Sequence, residues 1–202
     1  MILLIAVTSP VAADAPLEAL KTRVDHAVQV LNDPQTRGPA HVQERRAQIR
    51  KIADQIFDFP EMAKRALAVH WKDVPPADRE RFIRLFSDLL DRAYFEKIDS
   101  YNGEKVTYLT PKAEGDTTTV STRVGTDKGT EVPVDYKMMR EGDRWMVYDV
   151  IIEGVSLVQN YRAQFDRVIR TTSFDDLLKR MESQVAGQAS PGGPKPRGGG
   201  RG

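Results

Sequence analysis

Residues 130–153, TEVPVDYKMMREGDRWMVYDVIIE, decide the fold class. Val132, Val134, Tyr136 and Met138 recur at every second position, the period of a strand with one covered face. Trp145, Val147 and Asp149 then alternate with Met146, Tyr148 and Val150. Between the two runs stands Glu141-Gly142-Asp143, a polar turn carrying a glycine. A strand, a tight turn and a second strand make an antiparallel hairpin.

Upstream the same pattern repeats. Val106 and Tyr108 alternate in a first strand, and Val120 and Val124 share a face in a second. Glu114-Gly115-Asp116 and Asp127-Lys128-Gly129 supply the turns. Four strands joined by short polar turns predict an antiparallel meander with one wet face and one covered face.

Helical spacing holds on either side. Leu17, Leu20, Val24, Ala27, Val28 and Leu31 follow Pro16, and Asn32-Asp33-Pro34 stops the run. A second helix from about His41 carries Ile49, Ile52, Ala53 and Ile56 on one face. Pro60 opens a short third helix through Leu67, and Pro75-Pro76 opens a longer fourth. Its stripe is Phe82, Leu85, Phe86, Leu89 and Leu90, continuing to Tyr94, Phe95 and Ile98. After Gly154, Val158, Tyr161, Phe165, Val168 and Ile169 lie on one side of a fifth. Ser173 with Asp176 three residues on is a capping box for a last helix. Helices, one meander, then helices predict an α+β fold, with helices from both ends of the chain packed on the sheet.

Composition narrows the function classes. The 202 residues contain no cysteine, which excludes disulfides, zinc thiolates and a thiol nucleophile. With 30 Lys+Arg against 29 Asp+Glu, there is no global pull toward nucleic acid or an anionic membrane. Residues 186–202 are Gly/Pro-rich, carry Lys195, Arg197 and Arg201 without an acid, and are expected to be a disordered tail. Residues 1–13, MILLIAVTSPVAA, read as a signal peptide cleaved before Asp14, although no Lys or Arg precedes Lys21. Residues 14–185 are then one exported domain, expected in a periplasm and without stable membrane insertion.

Reactive groups are few. His26, His41 and His70 fall on different predicted helices, without metal-ligand spacing. Ser156 lacks the glycines of a nucleophile elbow and suits a helix start. No phosphate-cradling glycine motif occurs. Arg45-Arg46 and Arg50-Lys51, near Glu44, read as a solvated helix face. Asp149 and Glu153 flank the apolar Val150-Ile151-Ile152. A carboxyl in an apolar pocket could act as an acid or base, as in a cone-shaped isomerase, or could bond structurally to helix amides. All six tyrosines, at 94, 101, 108, 136, 148 and 161, fall on the long helix and its exit, the strands or the fifth helix. They suit the mouth of an apolar cavity or a filled core, between which periodicity does not choose.

Four segments together carry a family resemblance. They are FDFPEMAKRALAVHW at 57–71, PPADRERFIRLFSDLLDRAYFEKIDSY at 75–101, EGDRWMVYDVIIEGVSLVQNYRAQFDRVI at 141–169 and SFDDLLKRM at 173–181. The chain resembles the MlaC family, the periplasmic toluene-tolerance auxiliary component of the Mla ABC transport system. The most specific stretch runs from Trp145 to Phe165. The resemblance implies a curved sheet and helices enclosing the acyl chains of a phospholipid, carried as cargo with no cofactor. It implies a shuttle between the outer-membrane Mla lipoprotein complex and the inner-membrane Mla ABC transporter, maintaining outer-membrane lipid asymmetry.

On that basis Leu85, Leu89 and Tyr94 of the long helix face the pocket. Val120, Val134, Tyr136 and Val147 line the sheet wall, and Val155, Val158 and Tyr161 close one end. The competing expectations are an enzyme using Asp149 or Glu153 and a structural adaptor for envelope proteins.

Overall fold

A computed structural model describes residues 11–126 and 129–187. Residues 1–10 of the expected signal peptide, residues 188–202 of the expected tail and the Asp127-Lys128 turn pair lie outside the described residues. The chain is α+β. Helices α1 (Val11–Asn32), α2 (Val42–Ile56), α3 (Phe59–Leu67) and α4 (Pro76–Asp99) precede the sheet. Helices α5 (Leu157–Thr171) and α6 (Phe174–Val185) follow it.

The sheet has six strands: β1 (Val106–Tyr108), β2 (Lys112–Glu114), β3 (Thr117–Gly125), β4 (Glu131–Glu141), β5 (Arg144–Ile152) and β6 (Val155–Ser156). The order is β1-β3-β4-β5-β6, with β2 also on β3 and every strand pair antiparallel. The expected first strand is therefore two pieces along one edge of β3. The break falls at Pro111, which has no N–H to give to a ladder.

A bulge shifts the register between β4 and β5. Lys137 sits opposite Asp149, but Met138 sits opposite Val147, so Tyr148 is the extra residue. The strict alternation expected across Trp145, Val147 and Asp149 breaks there. Val147 shares the face of Val150, and Asp149 turns to the other side. A bulge also bends the strand that carries it. Both faces of β5 are covered, because α3 and α5 pack on it as well as α1 and α2. Met146 and Asp149 are as buried as Val147 and Val150, which corrects the expectation of one wet face for this strand.

Asp149 explains its own burial. Its Oδ1 accepts the Val158 N–H at 3.1 Å and its Oδ2 accepts the Ser156 hydroxyl at 2.6 Å. Ser156 Oγ in turn accepts the Gln159 N–H at 3.0 Å. Serine and aspartate together satisfy the open amides at the start of α5. Ser173 caps α6 as its spacing predicts, taking the Asp176 N–H at 3.0 Å.

The apolar interior is divided into three clusters. One joins α3, α4, α5 and α6 around Phe82 and Phe86, with edge-on contacts to Phe165 and Tyr161. A second joins Leu20 and Ile56 to Val120, Val134, Met138, Val147 and Val150 of the sheet. A third holds Val30 and Leu31 of α1, Ile49 and Ile52 of α2, and Phe95 of α4.

Charge pairs join α2 to α4. Arg45, expected on a solvated face, is buried. Its guanidinium makes two bonds to Asp99, at 2.7 and 2.8 Å, and also donates to the Gly38 and Thr36 carbonyls. Arg46 pairs with Asp91 at 2.7 Å, and Arg50 reaches Asp88 at 3.0 Å and Ser87 Oγ at 2.7 Å. The arginines of α2 face acids of α4, a pairing that neither segment shows alone.

Asp99→Ala, which strands the buried Arg45 charge, is expected to cost about 3 kcal/mol. Asp54→Ala removes only an exposed partner of Arg50 and should stay within about 0.5 kcal/mol. Urea midpoints of the two variants check the difference.

Candidate functional site

Between the sheet and helices α1, α2 and α4 lies a cavity of about 690 Å³. Each wall is one face of a helix or the inner face of the sheet. From α1 come Leu20, Val24, Ala27, Val28 and Leu31, the helical stripe visible in the sequence. From α2 come Ile49, Ile52, Ala53 and Ile56. The second half of α4 adds Leu90, Tyr94, Phe95 and Ile98. Val132, Val134 and Tyr136 of β4 and Val150 and Ile152 of β5 complete the lining.

Polar groups are confined to a few positions. Arg50 and Asp91 are tied up in the α2–α4 pairs. Arg23, Lys97, Glu104 and Thr126 also border the cavity. Lys97 and Ile98 are exposed, which places the opening by the last turn of α4. Burial pushes the Tyr94 and Tyr136 phenols above the usual tyrosine range, so both stay neutral hydrogen-bonding groups in an apolar wall.

Of the ten residues assigned to the pocket from sequence, Tyr94, Val134 and Tyr136 border this cavity. The other seven lie elsewhere. Leu85 and Leu89 point into the α3–α6 cluster, as do Val158 and Tyr161. Leu89 and Leu90 both pack in that cluster, but Leu90, about 100° further round the helix, also borders the cavity. Val120 and Val147 are fully buried in the packed cluster with Leu20, Ile56 and Met138. Val155 is 60% exposed beside the Glu153-Gly154 turn and closes nothing.

The α1 and α2 walls are not among the residues expected to line the pocket. Their stripes were legible, but nothing in a stripe says that it faces a void and not a neighbour. Neither carboxylate of the enzyme alternative borders the cavity. Asp149 is engaged in capping α5, and Glu153 is exposed in a turn at φ 50°. The tyrosines divide between roles: 94, 101 and 136 line the cavity, and Tyr161 packs in the helical core. Tyr148 lies under the Arg65 guanidinium at 4.2 Å.

The arrangement is suited to holding an elongated apolar body. Among the described residues no group of His, Cys, Asp or Glu could hold a metal ion. Among them, too, no helix is long and apolar enough to cross a membrane.

Comparison with known proteins gives consistent matches. The family model described as MlaC protein matches residues 21–183. The intermembrane phospholipid transport system binding protein MlaC of Haemophilus influenzae is 23% identical over 127 residues, covering 60% of this chain and 59% of that protein. Toluene tolerance protein ttg2D of Pseudomonas putida is 26% identical over 136 residues, covering 66% of this chain and 63% of that protein. The matched span is thus about six tenths of the length of these curated relatives. A phospholipid-binding protein from Ralstonia solanacearum, solved in complex with a phospholipid, superposes with a TM-score of 0.74 at 25% identity. The match covers 88% of this chain and all of that one.

The two faces of α4 and the sheet wall respond differently to a large side chain. Leu89→Trp overpacks a filled core and is expected to cost about 1–3 kcal/mol. Val134→Trp projects into existing space and should cost less than about 1 kcal/mol. Thermal or urea unfolding of the pair checks the assignment of faces.

Proposed function

Because the chain belongs to the MlaC family, we propose that it is a phospholipid carrier whose cavity holds acyl chains. It works in the periplasm, between the outer-membrane Mla lipoprotein complex and the inner-membrane Mla ABC transporter, and so helps maintain outer-membrane lipid asymmetry. The observation that carries this reading is the apolar cavity of about 690 Å³ walled by α1, α2, α4 and the sheet. The superposition on a protein solved with a phospholipid supports it.

The physical need is plain. Each methylene withdrawn from water is worth about 0.8 kcal/mol, so a free diacyl lipid does not cross water at a useful rate. A water-sized group takes about 30 Å³. A cavity of 690 Å³ then accommodates about 23 such groups, more than one long acyl chain. Val24 and Ala27 of α1, Ile52 of α2, Leu90 and Tyr94 of α4, and Val134 and Tyr136 of β4 are the proposed chain contacts. Leu85, Leu89, Val120, Val147, Val158 and Tyr161 support those walls from behind. Carriage requires no bond to be broken, and both candidate catalytic carboxylates lie away from the cavity. Energy for net transport comes from the transporter's ATPase.

The full-length protein, purified from a bacterial host, is expected to retain phospholipid in native mass spectrometry. Val134→Trp should lower that occupancy severalfold while leaving the helical circular dichroism unchanged. A protein free of lipid, or a Val134→Trp variant with undiminished lipid, contradicts the proposal.

A further inference from the structure

The cations around the cavity are unequal. Arg50 borders it and is matched to Asp88 of α4; Arg45, Arg46 and Lys21, which do not border it, are likewise paired with acids. Arg23 and Lys97 also border the cavity, one from α1 and one from α4. Among the described residues, neither makes an ion pair or a side-chain hydrogen bond. Arg23 is half-buried and sits in the apolar stripe of α1, next to Val24 and one turn from Leu20 and Ala27. Holding a guanidinium against apolar neighbours costs solvation, and no polar partner among the described residues offsets it. Glu104, the acid that borders the same opening, already accepts the Asn102 backbone N–H at 2.6 Å.

We propose that Arg23 and Lys97 form a phosphate site at the opening of the cavity, which takes the phosphodiester of a lipid whose chains lie inside. This rests on the carrier reading and adds to it the position of the head group. The planar guanidinium suits two phosphate oxygens at once, and the lysine adds a mobile charge from α4. Apolar walls below two unmatched cations fit an amphiphile with an anionic junction between chains and head. Head groups beyond the phosphate reach solvent past Lys97, so the site selects for the phosphate and not for what it carries.

The test is a choice between two lipids with the same chains. The full-length protein is offered equimolar dioleoyl phosphatidylglycerol and dioleoylglycerol in the same donor vesicles, and the bound ratio is read by native mass spectrometry. The wild-type protein is expected to favour the phospholipid. Arg23→Gln with Lys97→Gln should shift the ratio toward dioleoylglycerol by about tenfold, with total lipid held. Lys97→Glu alters only an exposed side chain and should shift it in the same direction, which guards against misfolding of the double variant. A ratio equal in the wild-type and variant proteins overturns the phosphate site. A wild-type protein that holds neither lipid overturns the carrier reading instead. Titration with inorganic phosphate separates the other source: tight binding of free phosphate without preference between the lipids contradicts a lipid phosphate.

Discussion

The structure depends on how α2 is held to α4. Where two helices of a small domain usually meet through apolar side chains, here three arginines of α2 meet aspartates of α4, and Phe95 adds the main apolar contact. Arg45 fixes the distance. Its planar guanidinium gives four hydrogen bonds, to Asp99 and to the Gly38 and Thr36 carbonyls, and so ties the α1–α2 loop and the end of α4 into one joint. The apolar faces of α1, α2 and the second half of α4 meet at Val30, Leu31, Ile49, Ile52 and Phe95, and the rest of those faces borders the cavity.

The cavity opens to solvent by the last turn of α4, and its walls offer few polar partners to water. Much of the packing lies away from the cavity. The aromatic cluster of α3, α4, α5 and α6 is packed without help from the cavity, and Asp149 with Ser156 fastens α5 to the sheet.

Much of this was legible in the sequence. Period-two alternation at Val132–Met138 and the glycine turns predicted the meander, and proline positions marked the starts of α3 and α4. The failures have physical causes. The alternation from Trp145 to Asp149 conceals a bulge, because the extra residue, Tyr148, looks like any other strand residue. Arg45-Arg46 and Arg50 read as solvated because their partners, Asp88, Asp91 and Asp99, are on another helix. Of the pocket residues, Tyr94, Val134 and Tyr136 border the cavity, whereas Leu89 and Val158 belong to the helical core. A helix apolar on more than one face, as α4 is, does not reveal which face has a neighbour. Arg23 did leave a trace in the sequence, a lone charge within the apolar stripe of α1.

The contents of the cavity in the protein as purified, seen by crystallography, decide whether it is a carrier. A carrier shows a continuous tube of density running between Val24, Leu90 and Val134 and ending near Arg23 and Lys97. A collapsed cavity, with α1 packed on α4 and the sheet and nothing between them, would contradict that role.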